Sequence, residues 1–456
     1  MLLIQNGTLV TEQGACLGDV AIENGKIVRI AAKLQAQAGD ESIDASGLLV
    51  FPGFIDAHVH FEMQNALATT ADSFETGTRA AIAGGTTTVI HFATQDRGHT
   101  LREELDKCLR QATGNCSCHF AFHMSVTDWN EASKAELDDM FAAGVSSFKI
   151  YFAYDSLRIS DAATYELLTE LKKRGGLLGV HCENGDLVDE GISRQKALGH
   201  LNPAAHAASR PPIVEAEAVN RLLAISELTD CAVNIVHLSG REGLEAVRRL
   251  RAKGKCVYVE TCPQYFTLND ACYEEPDFGG AKYVCSPPVR SEGDRQAIEQ
   301  ALLAGEIDTI ATDHCSYTLA QKALGRDDFS RIPNGLPGVE HRASLVYTNY
   351  VFGGRMSATQ MSKLLSTNPA REYGMYPQKG TIAVGSDADL VLWNPSARGV
   401  ISAKSQYQNT DYTPYEGREV VGAAKLVLLG GRVVVKNGVV ANEKCGRYVS
   451  RKPVEV

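Results

Sequence analysis

Residues 146–155 read SSFKIYFAYD. Ser147, Phe148, Ile150, Tyr151, Phe152 and Ala153 suit a buried strand, yet Lys149 places an ammonium among them. An unpaired charge in an apolar interior is costly enough to require a reason. Seven further short segments have the same character: 53–60 (GFIDAHVH), 86–92 (TTTVIHF), 118–126 (CHFAFHMSV), 177–181 (LLGVH), 231–237 (CAVNIVH), 256–261 (CVYVET) and 308–313 (DTIATD). Stretches with apolar residues at helical spacing separate them, among them AATYELLTELKKRGG, EAEAVNRLLAISELT, REGLEAVRRLRAKG and DRQAIEQALLAGE. Eight buried strands alternating with helices predict a (β/α)8 barrel.

The two ends of the chain have a different rhythm. The first fifty or so residues and the late segments KGTIAVGSDADLVLWNP and AKLVLLGGRVVVKNGVVA are short alternating stretches with NG and GG turns, a hairpin signature. Neither end is large enough to bury a core alone, so both are expected to join in one small β-sandwich. The expected division is sandwich 1–52, barrel 53–376, then the second sandwich part and a tail over 377–456.

With 44% hydrophobic and 22% charged residues, the chain of 456 has ordinary globular proportions. No apolar run is long enough to span a bilayer. A net charge of −10 without a clustered cationic face argues against a nucleic-acid partner. The opening MLLIQNGTLVTEQGACLGDV lacks the basic, apolar and small-residue regions of a signal peptide, so a cytoplasmic location is expected. Twelve scattered cysteines give no disulfide framework and are expected to be mostly reduced and buried.

The unusual residues gather at the C-terminal ends of the predicted strands, the face on which barrel enzymes build their sites. His58 and His60 end the first, Lys149 lies on the fourth, His181 ends the fifth, His237 the sixth and Asp313 the eighth. Two-residue alternation sends His58 and His60 to one side of the strand, so both can reach one ion. A lone HxH pair is as often a pair of core residues; concordance over five strand ends favours ligands. His91, His119 and His123 lack that concordance and read as structural, while His314 should face away from Asp313 and support it by hydrogen bonding. Cys182 and Cys315 read as small core residues turned away from the site, and the CSC at 116–118 lacks the usual zinc spacing.

Four histidines and an aspartate suit a borderline divalent cation such as zinc. A lysine does not, unless carbon dioxide adds to its neutral amine to give a carbamate able to bridge two cations. The competing reading pairs Lys149 with a buried carboxylate such as Asp313.

With those residues in place, the sequence resembles the dihydropyrimidinase/hydantoinase branch of the amidohydrolase superfamily. The motifs that carry the resemblance are PGFIDAHVH, FKIYFAYD, VHCENGDLV, HAASRPP, VETCPQYFTL, AKYVCSPPVR, ATDHC, GRDDFSRIPNGLPGVEHR and KGTIAVGSDADLVLWNP. The resemblance implies two divalent metal ions, with zinc the first choice, one on His58, His60 and Asp313 and the other on His181 and His237, bridged by carbamylated Lys149. It implies Tyr154 as oxyanion donor, Asp313 as the proton-transfer group, and Ser286 and Asn334 as positions whose backbone groups hold a small-molecule cyclic ureide. A homotetramer is also implied. Cys285 and His91 stand where relatives often have an aromatic and an acidic residue.

The implied reaction opens a dihydropyrimidine or 5-substituted hydantoin to an N-carbamoyl amino acid. The alternatives are an allantoinase, a dihydroorotase, or a non-catalytic interaction protein of the collapsin response mediator type. Such interaction proteins lack several metal ligands, whereas all six are here. Dihydroorotases usually follow HxH with an arginine for the substrate carboxylate, where this chain has Glu62, an acid expected to repel it. Met63, Leu67, Phe152, Leu157 and Ile159 are candidates for an apolar substituent pocket.

Overall fold

The computed structural model describes residues 1–454. Eight parallel strands form one sheet: β1 (Phe54–Val59), β2 (Thr86–Thr94), β3 (His119–Ser125), β4 (Ser147–Tyr151), β5 (Leu177–His181), β6 (Val233–Ile235), β7 (Val257–Thr261) and β8 (Thr309–Ile310). Each pairs in parallel with the next, and a bridge between Val59 and His314 brings the chain after β8 back to β1. This is the (β/α)8 barrel predicted from the alternation.

The helices between strands bury one stripe each. In Arg241–Arg251, Leu244, Val247 and Leu250 face the barrel, while Arg248, Arg249 and Arg251 crowd the last turn, where cations oppose the negative end of the helix dipole. Between β3 and β4 the helical stretch is broken into Glu131–Ala135 and Leu137–Ala142, with Glu136 between them.

Both chain ends build the second sheet. Leu2–Thr11, Gly14–Glu23, Lys26–Ala31, Glu41–Asp44 and Leu49–Pro52 join Leu390–Val400, Glu419–Leu429, Arg432–Lys436 and Val439–Val440 in nine strands. The seam between the ends is the antiparallel pairing of Val50 with Leu392. Ile4, Val20, Ile27, Val50, Leu390 and Leu428 are fully buried in the sandwich core. All twelve cysteines are free and eight are buried. No helix among the described residues is long and apolar enough to cross a membrane.

After the sandwich, the tail crosses the N-terminal end of the barrel. Tyr448 bridges to Phe120, Arg451 N–H donates to the Gly144 carbonyl, and Val454 N–H donates to the Gly175 carbonyl. Arg451 is 2% exposed, and its guanidinium donates to the Phe122 carbonyl and, at 2.6 Å, to Ser147 Oγ. It has no carboxylate partner among the described residues, and burial lowers its pKa to about 10. Arg451→Ala leaves two buried acceptors short of donors and should cost ~2–4 kcal/mol. A clear fall in the urea unfolding midpoint is expected, and an unchanged midpoint would mean the tail contributes nothing to barrel stability.

Candidate metal centre and active site

Barrel geometry converges the sequence-predicted residues other than Lys149 on one pocket at the C-terminal face. Its lining includes His58, His60, Met63, Tyr154, His181, His237, Ser286, Asp313, Cys315, Asn334 and Gly335. One ligand atom from each of His58, His60 and Asp313 lies within 4.8 Å of the others, an arrangement that could hold a metal ion. Asp313 Oδ1 is 3.1 Å from His58 Nε2 and 3.2 Å from His60 Nε2.

Buried carboxylates behind the histidines set which nitrogen faces the pocket. His58 Nδ1 is 2.7 Å from Glu260 Oε1, and Glu260 is fully buried. With Nδ1–H donated to Glu260, the Nε2 lone pair points at the Asp313 carboxylate. Two acceptors then face each other, and a cation or a proton must lie between them. Burial pushes the His58 pKa down, but Glu260 and Asp313 outweigh it and leave it raised, the same pull a metal ion would feel.

The second pair repeats the device. His181 Nε2 donates to Glu183 Oε2 at 2.8 Å, so its Nδ1 is the free lone pair, 3.1 Å from His237 Nε2. Arg210 donates to the same Glu183 oxygen at 2.9 Å; despite its burial, Glu183 is held down to about 2, chiefly by Arg210. Burial lowers the pKa of His60, His181 and His237, which favours neutral imidazole, the metal-ligating form. The buried His60 Nδ1 and His237 Nδ1 have no hydrogen-bond partner. For Asp313, burial would raise the carboxyl, but His58 and its other histidine neighbours hold it well below the usual range.

Lys149 lies between the two groups, 1% exposed, and its ammonium makes no hydrogen bond or ion pair among the described residues. The expected competitor, a Lys149–Asp313 pair, is therefore not formed. Burial lowers the amine to about 8, against the pull of Glu260 and Asp313. Opposite it in register on β5 is Gly179, where a Cβ would stand 3.1 Å from Val236 and 3.8 Å from the Lys149 side chain. The Phe92 ring lies 5.1 Å from the ammonium and stacks on His60 at 4.9 Å and on His123 at 4.7 Å. A donor set of neutral imidazoles, a carboxylate and a lysine with no counter-ion fits divalent cations.

Several placements differ from expectation. β6 stops at Ile235 and β8 at Ile310, so His237 and Asp313 lie beyond the strands, turned into the pocket by left-handed backbone at φ 41° and 50°. Tyr154 has φ 68°. Such conformations cost about 1–3 kcal/mol each in non-glycine residues and gather where side chains must be aimed. Because alternation has ended by then, Cys315 lines the pocket instead of packing in the core, while Cys182 is buried as expected. Burial pushes the Cys315 thiol up to about 12, which keeps it neutral.

Glu62 does not face the pocket. Its carboxylate accepts from the Phe74 N–H at 3.1 Å, at the start of helix Phe74–Ala83. Among the apolar candidates only Met63 lines the site. Phe152 and Ile159 line a separate cleft with Arg97, Arg158, Asp186 and Arg221; Leu67 and Leu157 line neither. His314 faces away from the cluster, 3.0 Å from Asp72, and accepts at Nδ1 from the Gly338 N–H. His123 contacts Ser147 Oγ and the Ala57 carbonyl, His91 accepts from the Phe61 N–H, and His119 accepts from the Arg447 N–H.

Sequence reasoning missed Glu260 and Glu183. Glu260 in VYVET was as misplaced a letter as Lys149, and Glu183 lies two residues past His181, at the spacing that returns to the same side.

Tyr154, Ser286 and Asn334 meet at the pocket rim. Asn334 Nδ2 donates to Ser286 Oγ at 3.0 Å, and burial raises the Tyr154 pKa, so its hydroxyl keeps its proton.

The amidohydrolase family matches residues 49–441. A D-hydantoinase of Ralstonia pickettii is 42% identical over 454 residues, 99% of each chain, and one of Rhizobium radiobacter is 43% identical over 439 residues, 96% of this chain and 95% of the other. The crystal structure of dihydropyrimidinase from Brevibacillus agri superposes with a TM-score of 0.98 at 39% identity, covering 100% of this chain and 99% of that one. The chain belongs to the amidohydrolase family, in its dihydropyrimidinase/hydantoinase branch, and is a cyclic amide hydrolase.

Proposed function

We propose that the chain hydrolyses a dihydropyrimidine or 5-substituted hydantoin to the N-carbamoyl amino acid at a centre of two divalent cations, zinc being the first choice. The observation that carries this reading is the convergence of His58, His60 and Asp313 with His181 and His237 on one pocket, with Lys149 buried close to all four histidines. Asp313 and the His58–His60 pair would hold one cation, His181 and His237 the other, and a carbamate on Lys149 both. An amine lowered to about 8 is partly neutral near physiological pH. Its lone pair forms the N–C bond to carbon dioxide and its proton leaves to solvent, so the misplaced cation becomes an anion. The D-hydantoinase relatives support a D-configured ring substituent. The same reading takes the chain as a cytoplasmic homotetramer, on family resemblance alone.

Cations held there would supply an acidified water at neutral pH and a Lewis acid for the ring carbonyl. Asp313, held anionic by its histidine neighbours, accepts the proton of the attacking water and returns it to the ring nitrogen as the C–N bond breaks. Tyr154 donates its hydroxyl proton in a hydrogen bond to the carbonyl oxygen as charge develops there. Backbone groups at Ser286 and Asn334 hold the ureide, and the hydrogen bond between their side chains keeps the two loops in register.

The lining has no lysine or arginine side chain to meet a carboxylated ring. That, and not repulsion by Glu62, is what disfavours dihydroorotate. The kcat/KM should rank neutral dihydropyrimidines or 5-substituted hydantoins above allantoin and well above dihydroorotate. Preference for dihydroorotate by fully metal-loaded protein would overturn the assignment, and preference for allantoin would replace it with the nearest alternative.

Tyr154→Phe should lower kcat by ~10²–10³ with a much smaller change in KM, the usual cost of one oxyanion donor. An unchanged kcat would remove the hydroxyl from the mechanism.

A further inference from the structure

Outside the metal centre, Lys322 is a second lysine that is 1% exposed. It ends the short helix Leu319–Lys322, which is anchored at its start by the Thr318 capping box and by Gln321 Nε2 donating to the Thr69 carbonyl at 2.7 Å. No carboxylate pairs with it among the described residues. Its ammonium instead donates to the carbonyls of Val284 at 2.8 Å, Pro333 at 2.7 Å and Gly335 at 2.8 Å. An ammonium has three N–H donors, and all three are used on backbone.

The three acceptors share one feature. Val284 lies two residues before Ser286, and Pro333 and Gly335 flank Asn334, so Lys322 grips the two backbone segments assigned above to the cyclic ureide. Gly335 N–H also donates to the Val284 carbonyl at 3.0 Å, and Cys315 Sγ lies 3.7 Å from the Asn334 carbonyl. The segments have no regular strand pairing to hold them: Ser286 follows the 3-10 turn Gly279–Tyr283, and Asn334 follows the turn Phe329–Arg331. A buried ammonium without a counter-charge is costly. A core-filling role would be met more cheaply by methionine or leucine.

We infer that Lys322 is a positioning residue for substrate recognition: its three hydrogen bonds fix the backbone at Ser286 and Asn334 in the orientation that binds the ureide. The inference rests on the function proposed above. Lys322 contacts none of the metal ligands and reaches the pocket only through the Gly335 backbone it holds, so its loss should act on binding and leave the metal centre intact. Loop carbonyls released from the ammonium must find other partners, and the ureide-binding groups beside them lose their alignment.

The test compares Lys322→Met, which keeps an unbranched apolar stem and removes all donors, with Lys322→Gln, which keeps two. Metal content is measured with KM and kcat on whichever of hydantoin and dihydrouracil the native protein opens. Lys322→Met should raise KM about tenfold or more, the scale of one misaligned hydrogen-bonding group, with metal content retained and a smaller change in kcat. Lys322→Gln should fall between it and the native protein. A KM within about twofold of native in folded, metal-loaded Lys322→Met would overturn the inference, as would a parallel loss of metal or failure of both variants to fold, since either marks a purely structural lysine. Native protein that opens neither ring would instead overturn the function reading on which the inference stands.

Discussion

A buried ammonium without a counter-ion is the constraint around which the centre of this barrel is arranged. Lys149 is held by β4 beside the histidines that line the pocket, flanked by Gly179 and by the Phe92 ring, with no carboxylate close enough to pair. The nearby carboxylate that could have neutralised it, Asp313, is committed to His58 and His60. The cost of that arrangement is removed if the amine is converted to an anion and the surrounding lone pairs are shared with cations. Each other feature of the pocket follows from that requirement: the imidazoles of His60, His181 and His237 held neutral by burial, and a carboxylate held anionic by its histidine neighbours.

The layer behind the ligands decides the chemistry as much as the ligands do. Glu260 fixes which His58 nitrogen is bare, and Glu183 does the same for His181, using the opposite ring nitrogen. Arg210 keeps Glu183 ionised at full burial. In a low-dielectric interior, such fixed charges act over several ångströms with little screening. Glu260 also accepts from the backbone N–H of His237 at 3.1 Å, where the backbone is left-handed. The pocket therefore keeps its shape through fixed hydrogen bonds beneath it.

Much of this was legible in the sequence because parallel barrel strands obey a simple alternation. His58 on β1, His60 just past its end, Lys149 on β4 and His181 on β5 could be assigned to the interior by counting. Counting fails where the strands end: His237 and Asp313 were found as residue types at the right place, but their direction comes from left-handed turns that periodicity does not encode. Cys315 was misread for the same reason. Glu62 was misread because nothing local distinguishes an acid facing substrate from one hydrogen-bonded to a helix N-terminus. The passage of the tail beneath the barrel, with Arg451 between β3 and β4, depends on contacts more than 300 residues apart in sequence, which no local pattern reports.

The central claim is that Lys149 becomes an anionic bridge between two cations. Native mass spectrometry of the intact chain, loaded with zinc and isotopically labelled bicarbonate, tests it most directly. The account predicts two zinc ions and one equivalent of labelled carbon dioxide per chain, with the label absent and the second zinc lost in Lys149→Ala. A chain that binds a single zinc with Lys149 unmodified, or that binds two without taking up label, would contradict it.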